Sequence, residues 1–318
     1  MSIFNQVGGG GYSEFYAGWI SLPKLGTPLN NGNAVVFNDE LYVFSGESYL
    51  NCYKYNHGEW ENSVNAPFDF GRGSAVVYND KIHILCGKNY NNYHWTFNGD
   101  TWSKDPSGLP SNFYDGSAVV LNNEIHILCG ENHYKWDGSS WTSVSTLPYY
   151  FSNGSAMVFN NEIHILGGDN GQNKHHKWNG STWTSVSTLP YYVSYGQAVV
   201  LNDEIHLLGG YHNGSEYMSH YKWDGSSWTR LLDTPYAISR GSAVVLNNEI
   251  HILGDYDSNN YTKHYKWDGS SWISVSTLPY PFEESQAVVL NNEIHILGAY
   301  IMNNYQKHYS YGEYYTKS

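Results

Sequence analysis

Residues 116–148 read GSAVVLNNEIHILCGENHYKWDGSSWTSVSTLP, and near-copies of this stretch fill most of the chain. An apolar, β-branched run, Ser117 to Leu121, meets the turn pair Asn122-Asn123. A second run, Glu124 to Leu128, ends at Cys129-Gly130. After a loop come His133-Tyr134-Lys135-Trp136, the turn Asp137-Gly138-Ser139-Ser140 and a last run opening at Trp141. Four short β-type runs punctuated by Asn, Asp, Gly and Ser make a four-stranded antiparallel meander. A unit of this length, repeated, cannot bury both faces alone and must stack against its copies.

The copies number seven. The alanine of the first strand recurs at Ala34, Ala75, Ala118, Ala156, Ala198, Ala243 and Ala287. The tryptophan opening the fourth strand recurs at Trp60, Trp102, Trp141, Trp183, Trp228 and Trp272, one short of the alanines. The missing one lies upstream: Trp19 precedes Ala34 by the interval that separates Trp141 from Ala156. The N-terminal segment is therefore expected to supply the outer strand of the blade begun by Ala287, closing seven units into a ring.

An apolar strand ending in Gly-Gly, followed by Tyr and then Trp about seven residues later, resembles the kelch repeat of β-propellers. Gly167-Gly168 and Gly209-Gly210 keep the double glycine, while Ser45, Cys86, Cys129, Asp255 and Ala299 depart from it. The resemblance spans Trp19 to Tyr311 and implies an all-β, seven-bladed propeller of four-stranded antiparallel blades over residues 14–318. Residues 1–13, with the run Gly8 to Gly11, fall outside the repeat and read as a flexible arm. The leader SIFNQVGGGG, Ser2 to Gly11, is similar to those of some phage structural proteins.

Charge narrows the partners. A formal net charge of −13 with Arg72, Arg230 and Arg240 as the arginines argues against nucleic acid, whose binding needs phosphate neutralisation, and against an anionic membrane. Cys52, Cys86 and Cys129 form no Cys-x-x-Cys pair, and the first residues lack the basic start and apolar run of a signal peptide. Synthesis in a reducing cytoplasm is the expectation.

Antiparallel strands place the first-to-second and third-to-fourth turns on one face of the ring and the other connections on the opposite face. The first face is monotonous: Asn-Asn or Asn-Asp pairs, then Asp-Gly-Ser-Ser or its variants. The second face differs in every blade. A copied framework bearing divergent loops is how a scaffold presents a binding surface. The expected binding residues are Tyr90, Tyr150, Phe151, Tyr192, Tyr195, Tyr211, Tyr217, Tyr236, Tyr256, Tyr261, Phe282 and Tyr305. Tyrosine rings stack on sugar faces while amides meet sugar hydroxyls, and tyrosine is equally at home in protein interfaces. For the Pro-Tyr tyrosines, a place between blades is the competing reading.

Histidines recur on the second strand (His83, His126, His164, His206, His251, His295) and at the third (His94, His133, His175, His220, His264, His308). A metal site needs ligands converging on one point, whereas one position repeated in every blade calls for a shared packing role. The tryptophans equivalent to Trp141 read as inter-blade packing on the same logic. Asp255 to Asn259 opens like a calcium loop, but Asn260 stands where glycine is required. No nucleophile elbow or phosphate loop is present. The expectation is a non-enzymatic binding or structural protein without metal or cofactor, a virion component held to other virion proteins by its arm. Its loop face would meet a host cell-surface glycan or neighbouring subunits. The alternatives are a cytoplasmic kelch interaction module and, behind it, an enzyme on a kelch propeller.

Overall fold

The computed structural model describes residues 12–317 apart from 28, 30–31, 45–49, 57, 68–72, 87–91, 114, 170–172, 256–261, 283–285 and 299–305. Every regular element among them is a strand. The first blade pairs Asn33–Phe37, Glu40–Phe44, Cys52–Asn56 and Glu59–Asn62 in chain order, each antiparallel to the next. Six further blades repeat this, and their innermost strands (Asn33–Phe37, Ser74–Tyr78, Ser117–Leu121, Ser155–Phe159, Gln197–Leu201, Ser242–Leu246 and Gln286–Leu290) touch in a closed circle. The molecule is a seven-bladed β-propeller.

Closure follows the expected route. Tyr12–Ser21 forms the outer strand of the seventh blade against His308–Lys317, with Trp19 opposite Tyr311 as Trp141 is opposite Trp136. Pairing begins at Tyr12, so the strand takes in two residues expected to belong to the arm.

The copied turns have a simple cause. All seven Asn-Asn or Asn-Asp pairs hold both residues at φ between 47° and 62°. This is the type I′ geometry, whose twist matches that of the flanking strands and which Asn and Asp tolerate best. In the other hairpin the Asp137 carboxylate accepts the backbone N–H groups of Ser139 and Ser140, each at 2.8 Å. Those bonds hold its pKa down at about 2.

The second strand is buried on both sides because neighbouring blades cover both of its faces. In blade 4, Ile163 and Ile165 face back into a cluster with Leu121 and Leu128, while Leu166 faces forward to Ile205 and Leu207. The histidine shares the forward face. Each is paired within its blade: His83 with His94, His126 with His133, His164 with His175, His206 with His220, His251 with His264 and His295 with His308, Nδ1 to Nε2 at 2.8–2.9 Å. In two blades the next blade's tryptophan closes the unit by a hydrogen bond. Trp141 Nε1–H donates to His94 Nδ1, and Trp183 Nε1–H to His133 Nδ1, both at 3.2 Å. Indole can only donate, so Nδ1 of His94 must accept, its proton lies on Nε2, and it donates onward to His83 Nδ1. Burial pushes His83, His94, His126 and His133 down to about 3 or 4, which leaves them neutral. The histidines and tryptophans thus take the packing role expected of them. The first blade replaces both histidines, with Tyr42 and Cys52, and burial pushes the Cys52 thiol up to about 12.

The glycines at the end of the second strand divide the work. Gly167, Gly209, Gly254 and Gly298 all lie at φ 60–64°, and a Cβ on Gly209 or Gly254 would strike the carbonyl of Ile238 or Phe282. At the second position Gly168 and Gly210 lie at φ 103° and 108°, and in the sixth blade Asp255 takes that place. In the third blade Cys129 replaces the first glycine and the backbone does not turn there. The second and third strands consequently run on as one stretch, Glu124–Trp136.

Candidate binding site

Each connection into a blade ends in a residue X followed by Gly and then Ser, Asn or Gln before the alanine; in the seventh blade Ser285 replaces the glycine. In blades 3 to 6, X is Asp115, Asn153, Tyr195 and Arg240, all left-handed at φ 51–58°. The glycine that follows is required by close approach: a Cβ on Gly116 or Gly154 would lie 2.5 or 2.8 Å from the carbonyl oxygen of Leu128 or Leu166. The four X residues are stitched around the axis by their backbones. Asn153 N–H donates to the Asp115 carbonyl (3.3 Å), Tyr195 N–H to that of Asn153 (3.0 Å), and Arg240 N–H to that of Tyr195 (3.4 Å). Positive φ is uncommon for Tyr and Arg, and where it is held by surrounding structure it points to a functional position.

These side chains line a cavity of ≈ 630 Å³ at the axial mouth of the variable face. Just inside, Asn33, Ser117, Gln197, Ser242 and Gln286 form a second polar tier. The Arg240 guanidinium lies 4.7 Å from the Tyr195 ring centroid, a cation–π distance. The Tyr195 phenol is raised above its ordinary range by burial first, then by the carboxylates of Asp169 and Asp115. Asp169 is itself fixed by the Asn153 side-chain amide at 2.6 Å. The mouth thus offers a cation, carboxylates, amides and an aromatic ring within one concave, largely polar space, a set suited to a hydroxyl-rich ligand.

Beside the mouth stands an aromatic shelf. Blade 5 carries an extra ribbon, Tyr211–His212 with Ser215–Glu216, turned by Asn213 and Gly214 at positive φ. Ser194, the neighbour of Tyr195, pins it: Tyr211 N–H donates to the Ser194 carbonyl (2.8 Å), and the Ser194 hydroxyl donates back to the Tyr211 carbonyl (3.0 Å). Tyr192 stacks on His212 with centroids 4.7 Å apart and planes at 14°. Tyr192, Tyr211 and Tyr150 are exposed on this face.

The expected residues divide accordingly. Tyr150, Tyr192, Tyr195 and Tyr211 lie on the open face. Tyr217 is half-buried, its ring 5.3 Å from that of Tyr191. Phe151, Phe282 and Tyr236 are corrections: all three are buried in the core between blades. Phe151 and Phe282 each plug the space three residues ahead of the first strand's Gly or Ser. Tyr236 belongs to a latch, in which Tyr149, Tyr191, Tyr236 and Tyr280 donate their hydroxyls to the carbonyls of Gly167, Gly209, Gly254 and Gly298, each 18 residues on. A polar tip with a partner lets the ring be buried, so the inter-blade reading holds for the Pro-Tyr tyrosines. Tyr90, Tyr256, Tyr261 and Tyr305 lie outside the described residues.

Asp115, Asn153, Arg240 and His212 lie outside the expected set, which consists of tyrosine and phenylalanine alone. Asp115, Asn153 and Arg240 carried a legible signal: one position changes from blade to blade while the Gly and Ala beside it are copied. Asp255, the opening of the calcium-like stretch, is fully buried and accepts the Ser239 backbone N–H at 2.7 Å. Among the described residues no three His, Cys, Asp or Glu side chains converge as metal ligands.

No family model matches this sequence, and no curated protein does. Among solved structures, one described as the structure of YjhT superposes with a TM-score of 0.62, covering 79% of this chain and 99% of that one at 13% identity. At that identity the likeness is one of fold: this chain is a seven-bladed propeller, a scaffold whose chemistry is carried by its own loops.

Proposed function

We propose that this kelch-type propeller is a non-enzymatic binding protein whose variable face takes a saccharide, with a terminal sugar in the axial mouth and the aromatic shelf beside it. The observation that carries the reading is the substitution of Asp115, Asn153, Tyr195 and Arg240 at one position of an otherwise copied unit. A position kept for packing would be copied like its neighbours, whereas a position facing a ligand diversifies. Tyr195 supplies a stacking ring, and Asp115, Asn153 and Arg240 supply the directed acceptors and donors that sugar hydroxyls require. The similarity of Ser2–Gly11 to phage leaders supports a virion component, made in the host cytoplasm and held to other virion proteins through its N-terminal segment. The ligand is then a host cell-surface glycan.

The test is a glycan array probed with the intact chain and with Tyr195→Ala and Arg240→Ala. Binding to a defined glycan set that falls at least tenfold in both variants is the expected result. An array without binding, together with a stable cellular protein recovered by pull-down and lost in the same variants, would favour a protein interaction module. Mass spectrometry of purified particles addresses the virion assignment separately.

A further inference from the structure

The copied framework carries one ion pair in five of its seven units. A glutamate opening the second strand meets a lysine of the third: Glu124 with Lys135, Glu162 with Lys177, Glu204 with Lys222 and Glu249 with Lys266 at 2.8 Å, and Glu40 with Lys54 at 3.2 Å. The second blade has Lys81 and Thr96 at these places, and so no carboxylate to neutralise there. The seventh blade keeps the acid and loses the base. Ser310 pairs with His295 as Lys177 does with His164 and Lys266 with His251, so a serine stands where its siblings have lysine. Glu293 has not moved out to compensate. Its side chain is 27% exposed, against 21–26% for Glu40, Glu124, Glu162, Glu204 and Glu249.

A cavity of ≈ 490 Å³ opens at this place, on the copied face between the seventh and first blades, and Glu293, His295, Glu40, Asp39, Tyr55 and Leu290 are among the residues that line it. No lysine or arginine is among its described lining residues. Glu40 is already held by Lys54, by the Asn56 side-chain amide at 2.8 Å and by the Tyr42 hydroxyl at 2.9 Å. Glu293 has only the imidazole of His295, 3.9 Å away, which burial pushes down to about 4 and so leaves neutral. On the same face of the sheet, Ser310 is 2% exposed and its hydroxyl has no hydrogen-bond partner among the described residues. A carboxylate largely withdrawn from water is costly to leave without a counter-charge. We propose that this cavity is a second binding site, for a primary ammonium on an unbranched alkyl chain, the group that a lysine of another protein presents. The fold supplies the argument: in five blades the same glutamate, at the same depth, is met by that group. The incoming ammonium donates to the Glu293 carboxylate and the Ser310 hydroxyl, while its methylenes lie along Tyr55 and Leu290.

The experiment is a ligand-observed NMR titration of the full chain with Nα-acetyl-lysine amide, its norleucine counterpart and n-butylammonium. Saturable binding of the lysine probe, none of the norleucine probe, and an affinity that falls about tenfold in Glu293→Gln are the expected results. Ser310→Lys rebuilds the sibling pair within the chain and is expected to fold and to abolish binding. Should that variant not fold, Glu293→Gln decides alone. A norleucine probe that binds as well as lysine, a titration unchanged in Glu293→Gln, or no saturable binding of either amine at millimolar concentration overturns the proposal. Tighter binding of the lysine probe than of n-butylammonium supports a protein side chain as the source; equal binding overturns that source in favour of a free alkylamine.

Discussion

The two faces of the disc are built from the same strands and obey different rules. On one, Asn122-Asn123 and its six equivalents hold a single backbone geometry, and Asp137, Asp224 and Asp268 cap the second hairpin with the same pair of N–H bonds. On the other, Asp115, Asn153, Tyr195 and Arg240 share a backbone conformation and nothing else. The copied face has been shaped by the cost of turning a chain in two residues, so few residue types serve. The varied face keeps the backbone fixed by glycine and by bonds between blades, which leaves the side chain free to vary. The contrast therefore makes separable forecasts: framework changes should cost stability without regard to ligand, and mouth changes the reverse.

The harshest way to break the comparison is to remove residues 15–24. That strips Trp19 from its contacts with His264 and Tyr311, both at 5.4 Å between centroids, and leaves Tyr309 to Tyr315 without their outer partner strand. Loss of cooperative unfolding in calorimetry is expected; a melt matching the intact chain would mean that the ring does not depend on its closure. Next comes Trp183→Ala, which empties an inter-blade contact and leaves His133 Nδ1 without its donor. Large-to-small changes of this kind cost about 3–5 kcal/mol, to be read from urea melts with glycan binding unaltered in the folded fraction.

Acid offers a third, graded probe of the framework. The unfolded chain takes up protons near the ordinary imidazole value of ~6.5. In the folded chain, burial holds His126, His133, His164, His175, His206 and His220 of the pairs within blades at about 3 or 4. The stability they confer is complete above ~6.5 and is lost progressively as pH falls toward 4, by up to about 1.4 kcal/mol per pH unit for each imidazole that the unfolded chain protonates and the folded one does not. Chemical denaturation at pH 7, 5.5 and 4.5 should show this decline; a flat profile would mean the pairs are solvated or charged.

Smaller still is Asn161→Val at φ 60°, expected to cost about 1–2 kcal/mol, with Asn161→Gly tolerated. The gentlest test is Tyr150→Ala, at a ring 52% exposed: its melt should stay within about 0.5 kcal/mol of the native chain. A glycan profile that shifts in this variant would extend the site beyond the mouth and shelf.

The framework was nearly all legible in the primary structure. The seven alanines, six tryptophans and displaced Trp19 gave blade number and closure, because strand period and turn chemistry are local properties. The variable face was only partly legible. Tyr149 and Tyr150 are adjacent and identical in type, yet one ring is latched to Gly167 and the other faces solvent, since alternation along an extended chain sends neighbours to opposite sides. Phe151 looked equally available and is a core plug. The pairing beyond Tyr311 was not legible, because the register of Tyr314 on Tyr16 depends on segments at opposite ends of the chain.

What the residues determined unaided is whatever depends on near neighbours along the chain: four strands per unit, I′ turns at Asn pairs, and a histidine on the second strand of six blades. What only the folded ring decided is whatever depends on approach between blades. That includes which tyrosines are covered, how Trp141, His94 and His83 share their protons, and the gathering of Asp115, Asn153, Tyr195 and Arg240 around one mouth. Those four span 125 positions of sequence and become neighbours through a curvature that no single repeat contains.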